Sequence, residues 1–98
     1  MPRPTQRLIN RIERDFTPDN AREVVGWLDG LGPEVFGRQD PERIQASLVL
    51  AASGDLERFV ACVELLRLDW RDALVAGGLA DANWPERLDA ELSGQGRS

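Results

Sequence analysis

Residues 40–78, DPERIQASLVLAASGDLERFVACVELLRLDWRDALVAGG, decide the fold class. Asp40-Pro41-Glu42 is a helix start: the Asp side chain can accept the first free backbone N–H groups, and Pro suits the first helical turn because its missing N–H costs nothing there. Ile44, Leu48, Ala51 and Ala52 then fall at helical spacing. Ser53-Gly54 stops that helix, with Gly54 expected in the left-handed conformation. Asp55 at once starts another, whose inward face is Leu56, Phe59, Val60, Val63 and Leu66. So tight a connection makes the two helices neighbours. Helical period then runs on through Trp70 and Leu74, yet Asp69 is itself a good cap with Asp72 three residues on. The reading favours a break at Asp69. Gly77-Gly78 ends the segment.

Working outward, Thr5 to Phe16 is a helix with Leu8, Ile12 and Phe16 on one apolar stripe. Arg3, Arg7, Arg11 and Arg14 form a basic stripe on the same segment. Thr17-Pro18 starts a second helix, whose apolar face is Val24, Trp27, Leu28 and Leu31. Gly26 lies inside it at a cost of roughly 1 kcal/mol relative to Ala, and the expected reason is close approach of a neighbouring helix. Gly30 and Gly32-Pro33 end that helix. Val35 and Phe36 in the following loop should tuck into the core. Asn83-Trp84-Pro85-Glu86 starts the last helix, and Leu88 and Leu92 continue its face. The similarity of residues 41–48 to residues 85–92 reflects two well-formed helix starts rather than a solenoid repeat. The fold class is therefore all-α: a compact bundle of five to six short helices in a single domain over residues 1–92, with residues 93–98 a flexible polar tail.

Composition bounds the function. Ninety-eight residues suffice for one modest core. No apolar run approaches the ~20 residues a membrane span needs, and the N-terminus has no apolar stretch of a signal peptide, so the expected location is the cytoplasm. All twelve basic residues are Arg, with no Lys or His, which points to a bacterium with GC-rich coding. Residues 1–14 carry four Arg against Glu13, net +3; the remainder carries eight Arg against sixteen carboxylates, net −8. An acidic body repels nucleic acid and anionic membrane.

The chemistry of an enzyme is missing. Without His the commonest general base and metal ligand is absent. A lone cysteine, Cys62, offers neither a disulfide nor a zinc pair and reads as a small buried hydrophobe. No Gly-rich phosphate loop follows a strand. The expectation is a chain that is not an enzyme and has no catalytic residues, cofactor or metal. The helix pair joined at Gly54 resembles a helix-turn-helix, but Asp55, Glu57 and Glu64 would face phosphates with the wrong sign.

What remains is a protein-interaction module whose partner is a protein or a second copy of the chain. Trp and Arg dominate interface energies, and two Trp lie at charged helix starts. Asp69, Trp70, Arg71, Asp72, Trp84 and Arg87 are thus the candidate partner-binding residues. Two alternatives stand beside this: an antitoxin- or immunity-type protein neutralising a basic partner, and weak nucleic-acid binding through Arg3, Arg7, Arg11 and Arg14. The stripe also has a plainer reading, as a solvated face or as the counterpart of the acidic body. The runs ERIQASLVLAASGDLERF, LDWRDALVAGGLA and NWPERLDAEL resemble a group of small uncharacterised bacterial proteins, chiefly over residues 14–79. The resemblance implies an all-helical fold and carries no activity, so no functional residue follows from it.

Overall fold

The computed structural model describes residues 4–32, 36 and 39–93, the last without its side chain. Arg3, Val35 and the tail from residue 94 lie outside them. Six helices form among the described residues: α1 (Gln6–Asp15), α2 (Pro18–Asp29), α3 (Pro41–Ala52), α4 (Leu56–Leu68), α5 (Trp70–Gly77) and α6 (Trp84–Ser93). Five begin at caps legible in the sequence. Thr5 accepts from the Leu8 N–H, Thr17 from Asn20, Asp40 from Glu42, Asp55 from Glu57 and Arg58, and Asp69 from Arg71. Each cap satisfies donors that the helix itself leaves unpaired. Asp69 is extended (φ −159°, ψ 112°), so α4 and α5 are two helices and the break falls at Asp69.

The helices pack around α3. It contacts α1, α4, α5 and α6, most extensively α5, while α2 lies against α1 and α4. Helix α3 buries Ile44, Gln45, Ala46, Ser47, Leu48, Val49 and Ala52, well beyond the single face expected from Ile44, Leu48, Ala51 and Ala52. The polar Gln45 and Ser47 hid this. Ser47 stays satisfied by donating to the Arg43 carbonyl four residues back (2.9 Å), and no described buried side-chain N or O atom lacks a partner. The remaining helices contribute one stripe each. Leu8 and Ile12 come from α1, Val24 and Leu28 from α2, Phe59 and Val63 from α4, and Leu88 and Leu92 from α6. Phe59 meets Phe16 edge-on at 6.4 Å. Full burial of such a side chain contributes roughly 1.5–3 kcal/mol. Phe36 is buried as expected.

Two turns set the packing. Ser53 (φ 51°) and Gly54 (φ 83°) are both left-handed, and a Cβ at Gly54 would come within 2.5 Å of the Asp15 carbonyl oxygen. The α3–α4 turn is therefore pressed onto the end of α1. At the end of α5, Gly78 (φ 79°) donates to the Val75 carbonyl and Leu79 to Leu74. This is the paired hydrogen-bond pattern of a Schellman stop, and it drops Leu79 into the core.

The glycine that permits close helix approach is Gly77, not Gly26. A Cβ at Gly77 would lie 2.5 Å from both the Cα and the carbonyl oxygen of Ser47, so α5 crosses α3 backbone to side-chain-free backbone. At Gly26 a Cβ would meet nothing within 4 Å, and the residue is exposed. The expectation for Gly26 is thereby corrected: it lies on the outer side of α2. Gly26→Ala should then stabilise the fold by roughly 0.5–1 kcal/mol, through reduced unfolded-state entropy and better helix propensity. A denaturation midpoint unchanged or lowered would contradict that.

Candidate functional site

The basic stripe of α1 is largely turned inward upon the chain's own acids. Arg7 forms a two-pronged pair with Glu42 at the start of α3, Nε to Oε2 and Nη2 to Oε1, both 2.8 Å. Its Nη1 donates to Asp89 of α6 at 2.7 Å, and Thr5 donates to the same Glu42 (2.6 Å). Hydrogen bonding to Glu42 and Asp89 raises the Arg7 pKa further, and Arg7 holds the Glu42 carboxyl below its ordinary value. Arg11 donates to Asp15 (2.8 Å) and to the carbonyl and carboxylate of Glu91 (2.7 and 3.1 Å). Burial opposes the Arg11 charge, but these hydrogen bonds outweigh it and the pKa rises. Arg7 and Arg11 thus staple α1 to α3 and α6. Arg14 is exposed.

The six candidate partner-binding residues divide into two clusters at opposite ends of α5, an eight-residue helix about 12 Å long. Trp84 and Arg87 belong to the C-terminal end. The guanidinium of Arg43 stacks over the Trp84 ring at 4.8 Å from its centroid. Arg43 Nε donates to the Leu79 carbonyl (2.9 Å) and Nη1 to Gln39 (2.7 Å). Burial pulls the Arg43 pKa down. Arg87 reaches over the same turn, its Nη2 3.4 Å from where a Cβ on Gly78 would sit. Trp84 is half-buried against the core. This cluster is a clasp closing the α5–α6 connection on α3. Arg43, its central member, is absent from the sequence-derived candidates because nothing local to Asp40-Pro41-Glu42 marks its reach.

Asp69, Trp70, Arg71 and Asp72 lie at the other end, where α4 turns into α5. Asp69 accepts the Arg71 N–H (3.0 Å) and its side chain (3.3 Å). The backbone hydrogen bond, then the side-chain one, lowers the Asp69 pKa. Trp70 is half-buried against the core with Arg71 above it, 5.9 Å from ring centroid to guanidinium carbon. Asp72 is exposed. Two exposed apolar residues missed in the sequence flank this run along the chain, one at the end of α4 and one on α5. Leu68 is 84% exposed and Val75 66%, the large hydrophobics left outside among the described residues. The signal for both was phase: Phe59, Val63, Leu66, Trp70 and Leu74 follow the helical period inward, and Leu68 and Val75 fall off it.

Helix α2 offers a second surface, an open groove of about 640 Å³ lined by Asp19, Arg22, Glu23, Gly26, Trp27 and Arg67 among others. Its charges alternate in sign, and Trp27 packs against the core. Cys62 in α4 is half-buried, and burial raises its thiol pKa, which works against nucleophilic reactivity. Among the described residues no group of three or more His, Cys, Asp or Glu side chains could hold a metal ion, and no helix is long and apolar enough to cross a membrane. No family model matches the sequence, and neither a curated protein nor a solved structure matches it.

Proposed function

We propose that this chain is a non-catalytic protein-interaction module that docks through the outer face of the α4–α5 corner. The observation that carries the reading is the position of Leu68 and Val75. They are exposed, they bracket Asp69–Asp72, and they flank an aromatic residue and an Arg, the side chains that most often anchor interfaces. Exposed apolar residues placed singly need no explanation. Here two of them share a corner with Trp70 and a mixed-charge rim, which is the composition of an interface centre with its polar margin. A cytoplasmic setting accords with a single unpaired Cys62. Nucleic acid is the weaker reading, because Arg7 and Arg11 spend their charge on Glu42, Asp89, Asp15 and Glu91 and have little left to neutralise phosphates.

A photo-crosslinking residue placed at position 75 of the full chain tests the proposal in cells. A discrete adduct is expected from position 75, lost when Leu68→Asp is added, and none from the exposed position 14 on α1. No discrete adduct from position 75 would sink the reading. The mass of the adduct identifies the partner class: a basic protein is the outcome expected of the neutralising alternative.

A further inference from the structure

We infer that α6 is a releasable strap: it leaves the body as one unit, about the link 80–83, while the arginines that fasten it stay paired on the body. Helix α6 packs on α1 and α3, and each contact is far slighter than that of α5 on α3. Its described apolar anchors are the buried Leu88 and Leu92 and the half-buried Trp84. The rest of the attachment is made by three arginines spread along the helix. Arg43 stacks on Trp84 at the N-terminal end, 4.8 Å from the ring centroid. Arg7 reaches Asp89 in the middle at 2.7 Å. Arg11 takes the C-terminal end, where it donates to both the carbonyl and the carboxylate of Glu91. That carbonyl is one of the last four of the helix, which have no partner within it, and a cation there also suits the helix dipole.

Each of these arginines has a second hold on the body. Arg7 keeps Glu42 of α3 through Nε and Nη2, Arg11 keeps Asp15 through Nε, and Arg43 keeps Gln39 through Nη1. Releasing α6 therefore strands no arginine, and a stranded charge is what makes breaking a buried ion pair costly. The α6 carboxylates are the more exposed members of their pairs, Asp89 at 66% and Glu91 at 43%, so water readily takes them up. The hinge is present as well: Leu79 is buried and held by the Schellman stop, whereas residues 80–83 are all exposed. A helix of ten residues is too short to persist alone in water. Once off the body α6 unravels, and its amides lose protection together. The strap is separate from the α4–α5 corner, so either reading can fail alone.

Amide hydrogen exchange of the full chain, followed by NMR in low concentrations of urea, tests this at about 0.05 M salt, where exposed pairs are little screened. Corrected for intrinsic rates, the amides of residues 88–92 should share one opening equilibrium. It should be larger than that of the fully buried Leu48 and Val49 in α3, which report global unfolding. Its urea dependence should be shallower, since less surface is exposed. Asp89→Asn with Glu91→Gln removes the charge from the α6 side of both pairs and leaves Arg7–Glu42 and Arg11–Asp15 whole. Exchange of residues 88–92 should then rise about fivefold, and retained protection of Leu48 and Val49 shows that the variant folds. The sign is diagnostic. If the arginine holds were idle, removing two acids from the C-terminal half of α6 would relieve their repulsion from the helix dipole and slow exchange instead. Three results would each overturn the inference. They are α6 amides that follow Leu48 and Val49 in rate and urea dependence, a gradient rising toward residue 92 as in simple end fraying, and a double variant whose α6 exchange is unchanged or slower.

Discussion

Gly77→Ala is expected to lower the unfolding free energy by roughly 3 kcal/mol, the upper part of the range for overpacking. The added methyl would sit 2.5 Å from the Cα and carbonyl oxygen of Ser47 and 2.8 Å from its carbonyl carbon. These are backbone atoms of the central helix, so no side chain can rotate away, and α5 must lift off α3. That contact is the most extensive between helices, and lifting it also loosens the seating of Leu74 and Leu79. Helix propensity pulls the other way, since Ala is favoured over Gly by up to about 1 kcal/mol. The clash wins because the room needed for a methyl contact is about an ångström more than exists. Gly26→Ala is the matched control, the same chemical change in a helix where the methyl meets open space. The two variants should move the urea midpoint in opposite directions with the slope unchanged. A Gly77→Ala protein as stable as the wild type would refute the close approach of α5 and α3.

Arg7→Ala should cost about 1–2 kcal/mol at neutral pH. Charged, two-pronged hydrogen bonds are the stronger kind, and partial exposure discounts them. The Glu42 side chain is only 17% exposed, so removing Arg7 leaves it a half-buried carboxylate with Thr5 as its remaining partner. Hydrogen bonding from Arg7 is the largest influence on Glu42, and its pKa lies below the ordinary 4.5. A lowered folded pKa contributes stability that is complete above the unfolded value of about 4.5 and is lost as pH falls through the folded value. The difference between wild type and Arg7→Ala should therefore shrink as the pH drops from about 7 to about 3. Urea melts at the two pH values measure it. A difference constant across that interval would mean that Arg7 acts by packing its aliphatic stem alone.

Much of the bundle could be read locally. Thr5, Thr17, Asp40, Asp55 and Asp69 announce helix starts because the capping hydrogen bond is made within three residues of the cap, and Gly54 announces a turn for the same reason. Whatever depends on a distant segment could not be read so. Gly26 and Gly77 look alike in the sequence; only the arrival of Ser47 from α3 separates them. The burial of α3 had a signal in the nearly unbroken apolar run of residues 46–52, since a helix apolar on all sides is a central one, but Gln45 and Ser47 pointed to a polar face. The candidate site was half legible. Asp69 to Asp72 stood out as a charged helix start with a Trp. Trp84 stood out for the same reason, yet Arg43 from 41 residues upstream covers it.

The central position of α3 divides the chain into a fixed hub and an adaptable rim. Seven of its twelve residues are buried, so almost any substitution there is a folding defect first, whatever else it does. The outer sides of α2 and of the α4–α5 corner carry no such burden, and their exposed side chains can be exchanged while the hub holds the helices in place. A lineage built on this scaffold would keep its interior nearly constant and diverge at a handful of rim residues, with Leu68 and Val75 among the first to vary.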